Sequence, residues 1–285
     1  MTELYLNISR PRRKFKDSLG QANHFLITAL IGLDYIDNNE VECPPSFSTS
    51  WNPKNKQSSI DRTRQYILNS SLAWAVDCLD SYMSICNQDP KLIDNEDLIK
   101  DFEKAKRSVN EKFIALAGYV GNFNDFNIYA SIVGLAIQWR NNTIHSGGDN
   151  KIDDEHRKTL LNSADRIKEL FCNLDINETL DSFDSKQNPT FKEVTSIIRG
   201  IQRFVENVDS YLISKINIIE YACSILNHHC KKYKISLESI MALSKERRNL
   251  KLANILKSYS FSDTSITDST AKIEINNIAY SWAKQ

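Results

Sequence analysis

Apolar residues recur at three- and four-residue steps through most of the 285-residue chain, the spacing that one face of an α-helix requires. From Ile60 to Ile85 the set Ile67, Leu68, Leu72, Trp74, Ala75, Leu79, Tyr82 and Met83 predicts one long amphipathic helix. A second is expected from Asp94, a capping residue type, with Leu98, Phe102, Ala105, Val109, Phe113, Leu116 and Ala117 on one face. Gly118 and Gly121 stop it. A third opens at Asn124-Asp125, is apolar nearly all round through Ile137 and ends at Gly147-Gly148. A helix without a polar face belongs at the centre of a core. A fourth is expected from the acidic turn Asp153-Asp154-Glu155 to about Leu174.

Residues 175–188 lose the period and collect Asn, Asp, Ser and Gln, which marks an internal boundary. After it, either Asn188 caps a helix with Pro189 at its first position, or Thr190 and Glu193 form a capping box. Further helices are expected over 190–213, 216–234, 236–258 and 269–283, and one over 20–38 before a Pro/Ser/Asn-rich loop from Cys43 to Lys56. No segment alternates cleanly with a two-residue period. The pattern predicts an all-α fold with little or no sheet, a helical domain over 1–180 and a C-terminal helical region over 188–285.

Composition narrows the function. The 36 basic and 36 acidic side chains cancel, which argues against a protein that coats polyanions through net charge alone. Eight Gly and six Pro are few for turn-rich sandwiches, barrels or Gly-rich nucleotide folds. The longest apolar runs, His24–Leu33 and Ile128–Trp139, are shorter than the ~20 residues that span a bilayer. The basic start lacks the apolar segment of a signal peptide. Six cysteines with no CxxC pair fit reduced, buried thiols. The expectation is a cytoplasmic protein with no membrane contact.

One segment stands apart: Trp139-Arg140-Asn141-Asn142-Thr143-Ile144-His145-Ser146-Gly147-Gly148. It puts an arginine and a histidine at the end of the most apolar helix, where packing alone least explains them. Five residues turn an ideal helix by about 500°, which leaves the two side chains about 140° apart. They converge if the helix ends between them, or if two chains meet across a two-fold axis. The pair suffices for one reaction without a metal. RNA carries its own nucleophile in the 2′-OH; a histidine can move the proton and an arginine can hold the phosphate oxygens.

The stretch resembles the HEPN superfamily, whose members carry an Arg, four to six residues and a His, often with a polar residue after the arginine; here that residue is Asn141. The resemblance covers roughly residues 20–175. It implies a helical bundle and a dimeric, metal-independent endoribonuclease with a composite site from two motifs, acting on RNA as a toxin or in antiviral defence. An antitoxin or defence-system partner protein is implied with it. One branch of the family, paired with nucleotidyltransferase antitoxins, has Tyr two residues after the histidine. This chain has Gly147 there, so modification at that position is not expected.

Other residues carry weaker signals, each with a solvated or structural role as the alternative. Asp77 and Asp80 could orient His145 or Arg140 if their helix packs against the motif. Cys223, His228, His229 and Cys230 include metal-ligand types but lack zinc-site spacing, so no metal and no cofactor are expected. Three basic clusters, Arg10–Lys16, His228–Lys234 and Lys245–Lys251, could track phosphates or be solvated helix ends. In the last, Arg247 and Lys251 share a helix face and Arg248 lies about 100° away. The alternatives to an enzyme are a catalytically inactive helical interaction module and a regulatory module that holds a nucleotide phosphate on Arg140.

Overall fold

The computed structural model describes residues 3–47, 51, 53–121, 123–144, 148–266 and 271–282. Among these residues the chain is all-α, with thirteen helices and one two-stranded sheet. In chain order the elements are β1 (Glu3–Leu6), α1 (Arg10–Asn38), α2 (Lys56–Cys86), α3 (Glu96–Ala105), α4 (Val109–Val120), α5 (Phe126–Ile144), α6 (Asp154–Asn162) and α7 (Ala164–Leu170). They continue as α8 (Ile176–Asp184), α9 (Phe191–Lys215), α10 (Ile218–Tyr233), α11 (Leu237–Met241), α12 (Lys245–Ser258), β2 (Ala271–Glu274) and α13 (Ile275–Trp282).

Caps explain where the observed elements depart from the apolar period. The helix expected from Asp94 starts one residue later, because the Asn95 side chain accepts the Leu98 N–H at 2.9 Å. It is also two helices: Lys106 turns to a positive φ, and Ser108 then caps α4 through Glu111. The helices expected over 153–174 and 236–258 also divide, into α6 and α7 and into α11 and α12, with no side-chain cap bond at Ser163 or Ser244. Residues 175–188, read as an internal boundary that loses the helical period, contain a short helix. Asp175 accepts N–H groups of Asn177 and Glu178 and starts α8. The Thr190/Glu193 capping box forms, with Thr190 N–H donating to Glu193 at 2.7 Å and Glu193 N–H to Thr190 Oγ1 at 3.3 Å. Helix α1 begins at Arg10, well before the expected residue 20, because Ser9 caps it and Pro11 is tolerated in a first turn.

Two compact units divide the chain, and each draws segments from both sides of residues 175–188. The first comprises Met1–Lys16, Leu79–Phe123 and Arg203–Gln285. Its sheet pairs β1 and β2 antiparallel, Leu4 opposite Ile273 and Leu6 opposite Ala271, where a helix was expected over 269–283. The alternation Glu-Leu-Tyr-Leu puts Leu4 and Leu6 into the core while Glu3 and Lys272 pair on the other face. At the start of α1, the Asp209 carboxylate accepts both the N–H and the hydroxyl of Ser9. The Tyr82 hydroxyl approaches it at 3.4 Å, and both Ser9 and Asp209 are fully buried. Nearby, Arg12 pairs with Glu206 at 2.9 Å.

The second unit comprises Asp17–Cys78 and Asn124–Gln202, and α5 is its most buried helix. Twelve of its residues, from Phe126 to Trp139, are buried. Two glycines allow close approach to it. A Cβ on Gly134 would stand 2.9 Å from the His156 ring of α6, and one on Gly200 of α9 would overlap the Ile132 side chain. No helix among the described residues is long and apolar enough to cross a membrane. All six cysteines are free; Cys78, Cys86 and Cys223 are buried, but Cys172 is exposed, contrary to a uniformly buried set.

The glycine contacts give opposite signs to one substitution. Gly200→Ala should destabilise the protein by about 1–3 kcal/mol despite the helix propensity gained, because Ile132 must move. Gly118→Ala, on an open face of α4, should stabilise it by about 0.5–1 kcal/mol. Urea unfolding measures both, and Ile132→Ala should relieve the first.

Asp209 makes stability pH-dependent. Burial pushes its carboxyl up to about 6, partly offset by the hydrogen bonds from Ser9 and the charge of Arg12. Between its ordinary 3.8 and about 6 the folded chain holds a proton that the unfolded chain has lost. This contribution to stability is therefore present at low pH and is lost as pH rises through about 6. Relative to wild type, Asp209→Asn should gain stability across that window, on the order of 3 kcal/mol. A difference that does not vary with pH in chemical denaturation would contradict it.

Candidate functional site

Helix α5 leaves the core at Arg140. Residues through Trp139 are covered, Arg140 to Thr143 are half-buried, and Ile144 is exposed. Trp139 fixes this end: its indole N–H donates to the Gln187 carbonyl at 3.3 Å, and its ring meets Phe183 of α8 edge-on at 5.8 Å. The following turn thus has a set position. Arg140 donates through Nη2 to Asp77 of α2 at 3.1 Å and through Nη1 to Asn141 Oδ1 at 3.3 Å. Its Nε is buried without a hydrogen-bond partner.

A guanidinium has five N–H donors, so two such bonds leave capacity for an anion. The two partners differ in exposure: the Arg140 side chain is 23% exposed and that of Asp77 is 61%. Packing therefore sets the arginine, while the carboxylate at the rim can yield to a competing anion. The stem of the guanidinium is held before any ligand arrives.

His145, Ser146 and Gly147 lie outside the described residues. The chain on either side of them is tied together by an asparagine pair. Asn142 Oδ1 accepts the backbone N–H of Asn150 at 2.7 Å and its side-chain amide at 3.0 Å, and Asn142 Nδ2 donates to the Asn150 carbonyl at 2.9 Å. Nothing in the apolar pattern announces this clamp. An asparagine two residues after the arginine and another eight residues later are the available signal. Thr143 donates back to the Trp139 carbonyl at 2.8 Å, as a helical threonine does.

The other candidates separate by partner. Asp77 meets Arg140, whereas Asp80 accepts from the buried ammonium of Lys112 at 2.8 Å, which also donates to Ser84. Arg247 and Lys251 line one open cleft of about 460 Å³ on the first unit, with His229, Leu250 and Asn254 among its walls. Arg248 points elsewhere, with Nη1 3.5 Å from the Met241 carbonyl. A further histidine, His156, is taken up by packing: its Nδ1 lies 3.2 Å from Ser131 Oγ, and burial pushes its imidazole pKa down. Among the described residues, no three His, Cys, Asp or Glu side chains are grouped closely enough to hold a metal ion.

No protein-family model, no curated protein and no solved structure matches this chain.

The asparagine clamp generates a direct test. Asn142→Ala removes three hydrogen bonds that bracket residues 145–147, so the Asn150 amide should exchange with solvent at least about tenfold faster. Exchange at amides within α5 before Trp139 should be unchanged. Equal rates at Asn150 in both proteins would mean the clamp does not hold this segment in solution.

Proposed function

We propose that the chain is an endoribonuclease that cleaves RNA by attack of the 2′-OH on the adjacent phosphate, as a homodimer and without a metal ion. It acts as a cytoplasmic toxin or antiviral-defence effector. The observation that carries this reading is Arg140: a pre-positioned guanidinium with unused donors, at the point where a buried helix emerges, five residues before His145. In the reaction, His145 accepts the 2′-OH proton as the 2′-oxygen bonds to phosphorus. The bond from phosphorus to the 5′-oxygen breaks, and the leaving oxygen takes a proton from an imidazolium. Arg140 binds the non-bridging oxygens and offsets their growing charge. The products are a 2′,3′-cyclic phosphate and a 5′-OH.

Two histidines serve this chemistry better than one, since one can act as base while the other acts as acid. A two-fold pairing supplies both. Support for such a pairing comes from exposed apolar side chains on the unit that carries Arg140. Ile27, Ile31 and Tyr35 recur every fourth residue on α1 and are 44%, 64% and 63% exposed. Trp74, 51% exposed, lies one turn before Asp77 on α2. A second copy would remove this surface from water.

The Arg140–Asp77 pair favours a second reading, in which the arginine is structural and the chain is a helical interaction module. Cleavage assays on full-length protein decide between them. Arg140→Ala and His145→Ala should each reduce cleavage of a generic RNA by at least about 100-fold with helical content intact. Activity should persist in excess chelator, and a 2′-deoxy substitution at the scissile nucleotide should block it. Sedimentation should show a dimer at micromolar concentration. Equal cleavage by wild type and both variants would leave the interaction module as the better reading.

A further inference from the structure

On the first unit, residues of the three basic clusters, far apart in sequence, are linked through the rings of Tyr259 and His229. Tyr259, buried at the end of α12, receives the Arg10 guanidinium over its face at 4.7 Å. The rings of His228 and His229 on α10 both stand edge-on to it at 6.1 Å. The start of α1 and the ends of α10 and α12 are thereby held at the same place, and Arg247 and Lys251, nearer the start of α12, join them through the cleft they line with His229. The neighbouring cations feel one another: burial and then the charges of Arg10 and Lys232 push the Lys14 pKa down. Burial and then Lys232, His228 and Lys251 do the same to His229.

Two features say what these cations are for. None of Arg10, Lys14, Lys232, Arg247 and Lys251 has a carboxylate ion-pair partner among the described residues, although fourteen ion pairs form elsewhere among them. Interspersed with these cations is an exposed aromatic. Tyr233 is 55% exposed, its ring lies 4.5 Å from that of His229, and the Lys232 ammonium sits 5.2 Å above it. Unpaired cations beside a ring open to solvent suit a strand with both phosphates and unpaired bases. An acidic peptide would use the cations and leave the ring idle.

We propose that Arg10, Lys14, Lys232, Arg247 and Lys251, with Tyr233 as a stacking platform, form a binding face for single-stranded RNA. Lysines and arginines take successive phosphates, and Tyr233 stacks on a base. The cleft lined by Arg247, Lys251 and His229 lies on this face. The choice of RNA over DNA rests on the ribonuclease reading above; the polyanion and stacking chemistry does not.

The test uses full-length His145→Ala protein, a labelled oligouridylate and fluorescence anisotropy across a salt series. Lys232→Glu/Lys251→Glu should lower affinity at least tenfold and flatten the slope of log affinity against log salt by roughly 0.7 for each phosphate no longer neutralised. Lys232→Gln/Lys251→Gln should do the same to a smaller degree, which guards against misfolding of the reversed variant. Tyr233→Ala should lower affinity about tenfold with the salt slope unchanged, since stacking releases no counterions. Reversal of Lys100 and Lys104 on α3 should change nothing. Affinity indifferent to the Lys232, Lys251 and Tyr233 changes would overturn the face, as would polyglutamate binding as tightly as the oligonucleotide. Cleavage by protein with an intact His145 is measured separately. Binding without cleavage refutes the ribonuclease and keeps the face, and His145-dependent cleavage with unaltered binding in the variants does the reverse.

Discussion

The second unit is organised by a helix that has no polar side. Between Phe126 and Trp139, α5 offers water almost nothing, so every direction around it must be covered. The cover comes from α6, brought close at Gly134, from α9 at Gly200, and from α8 through Phe183 against Trp139. The absence of a side chain on one partner at two crossings is what allows the helices to approach so tightly. The same constraint defines the candidate site. A helix covered to Trp139 and uncovered at Ile144 has one turn in which polar side chains are held by packing on one side and reach solvent on the other. Arg140, Asn141 and Asn142 occupy that turn.

Polar groups are fixed in the first unit by a different route. Asp209 brings a carboxylate into a fully buried position because it satisfies the Ser9 N–H and hydroxyl at the start of α1. A buried carboxylate costs several kcal/mol if left ionised and alone. Here protonation relieves part of that cost, and the hydrogen bonds from Ser9 offset more. The same burial drives the Tyr82 and Cys86 pKa values upward beside it. These groups stay neutral and serve as hydrogen-bonding walls.

Helix content was legible because apolar period survives tertiary folding, and α5 was legible as the central helix because nothing but burial suits its composition. The breaks were not. Lys106 and Ser108 interrupt a run whose apolar face continues from Leu98 to Leu116, and only the turn geometry betrays the interruption. Within residues 175–188 a short helix went unread: Asp175 supplies its cap, while Ile176, Leu180 and Phe183 carry a buried face too short to stand out. The β1 strand is four residues long, too brief for alternation to register, and its partner lies at the far end of the sequence. At the site, Arg140 and Asn141 could be named from the sequence. That Asp77 rather than Asp80 meets the arginine depends on which way each faces on α2, and the apolar pattern alone does not resolve that. The asparagine clamp depends on a loop closing back, which the helical period does not encode.

Charge shows the limit of whole-chain arithmetic most clearly. A net charge of zero argues against binding driven by the overall field, since that field has no excess to supply. It does not constrain a face, because screening confines an exposed charge to about 8 Å at physiological salt. What matters is which cations have been matched locally. On the second unit Arg64, Arg140, Arg157, Arg166, Lys168 and Lys186 each meet a carboxylate. On the first unit Arg12 and Lys257 are matched in the same way, whereas Arg10, Lys14, Lys232, Arg247 and Lys251 have no carboxylate ion-pair partner among the described residues. Many of the acidic side chains that balance the chain are therefore placed against other cations. Local matching of this kind, and not the sum over the chain, decides where an anion can be bound.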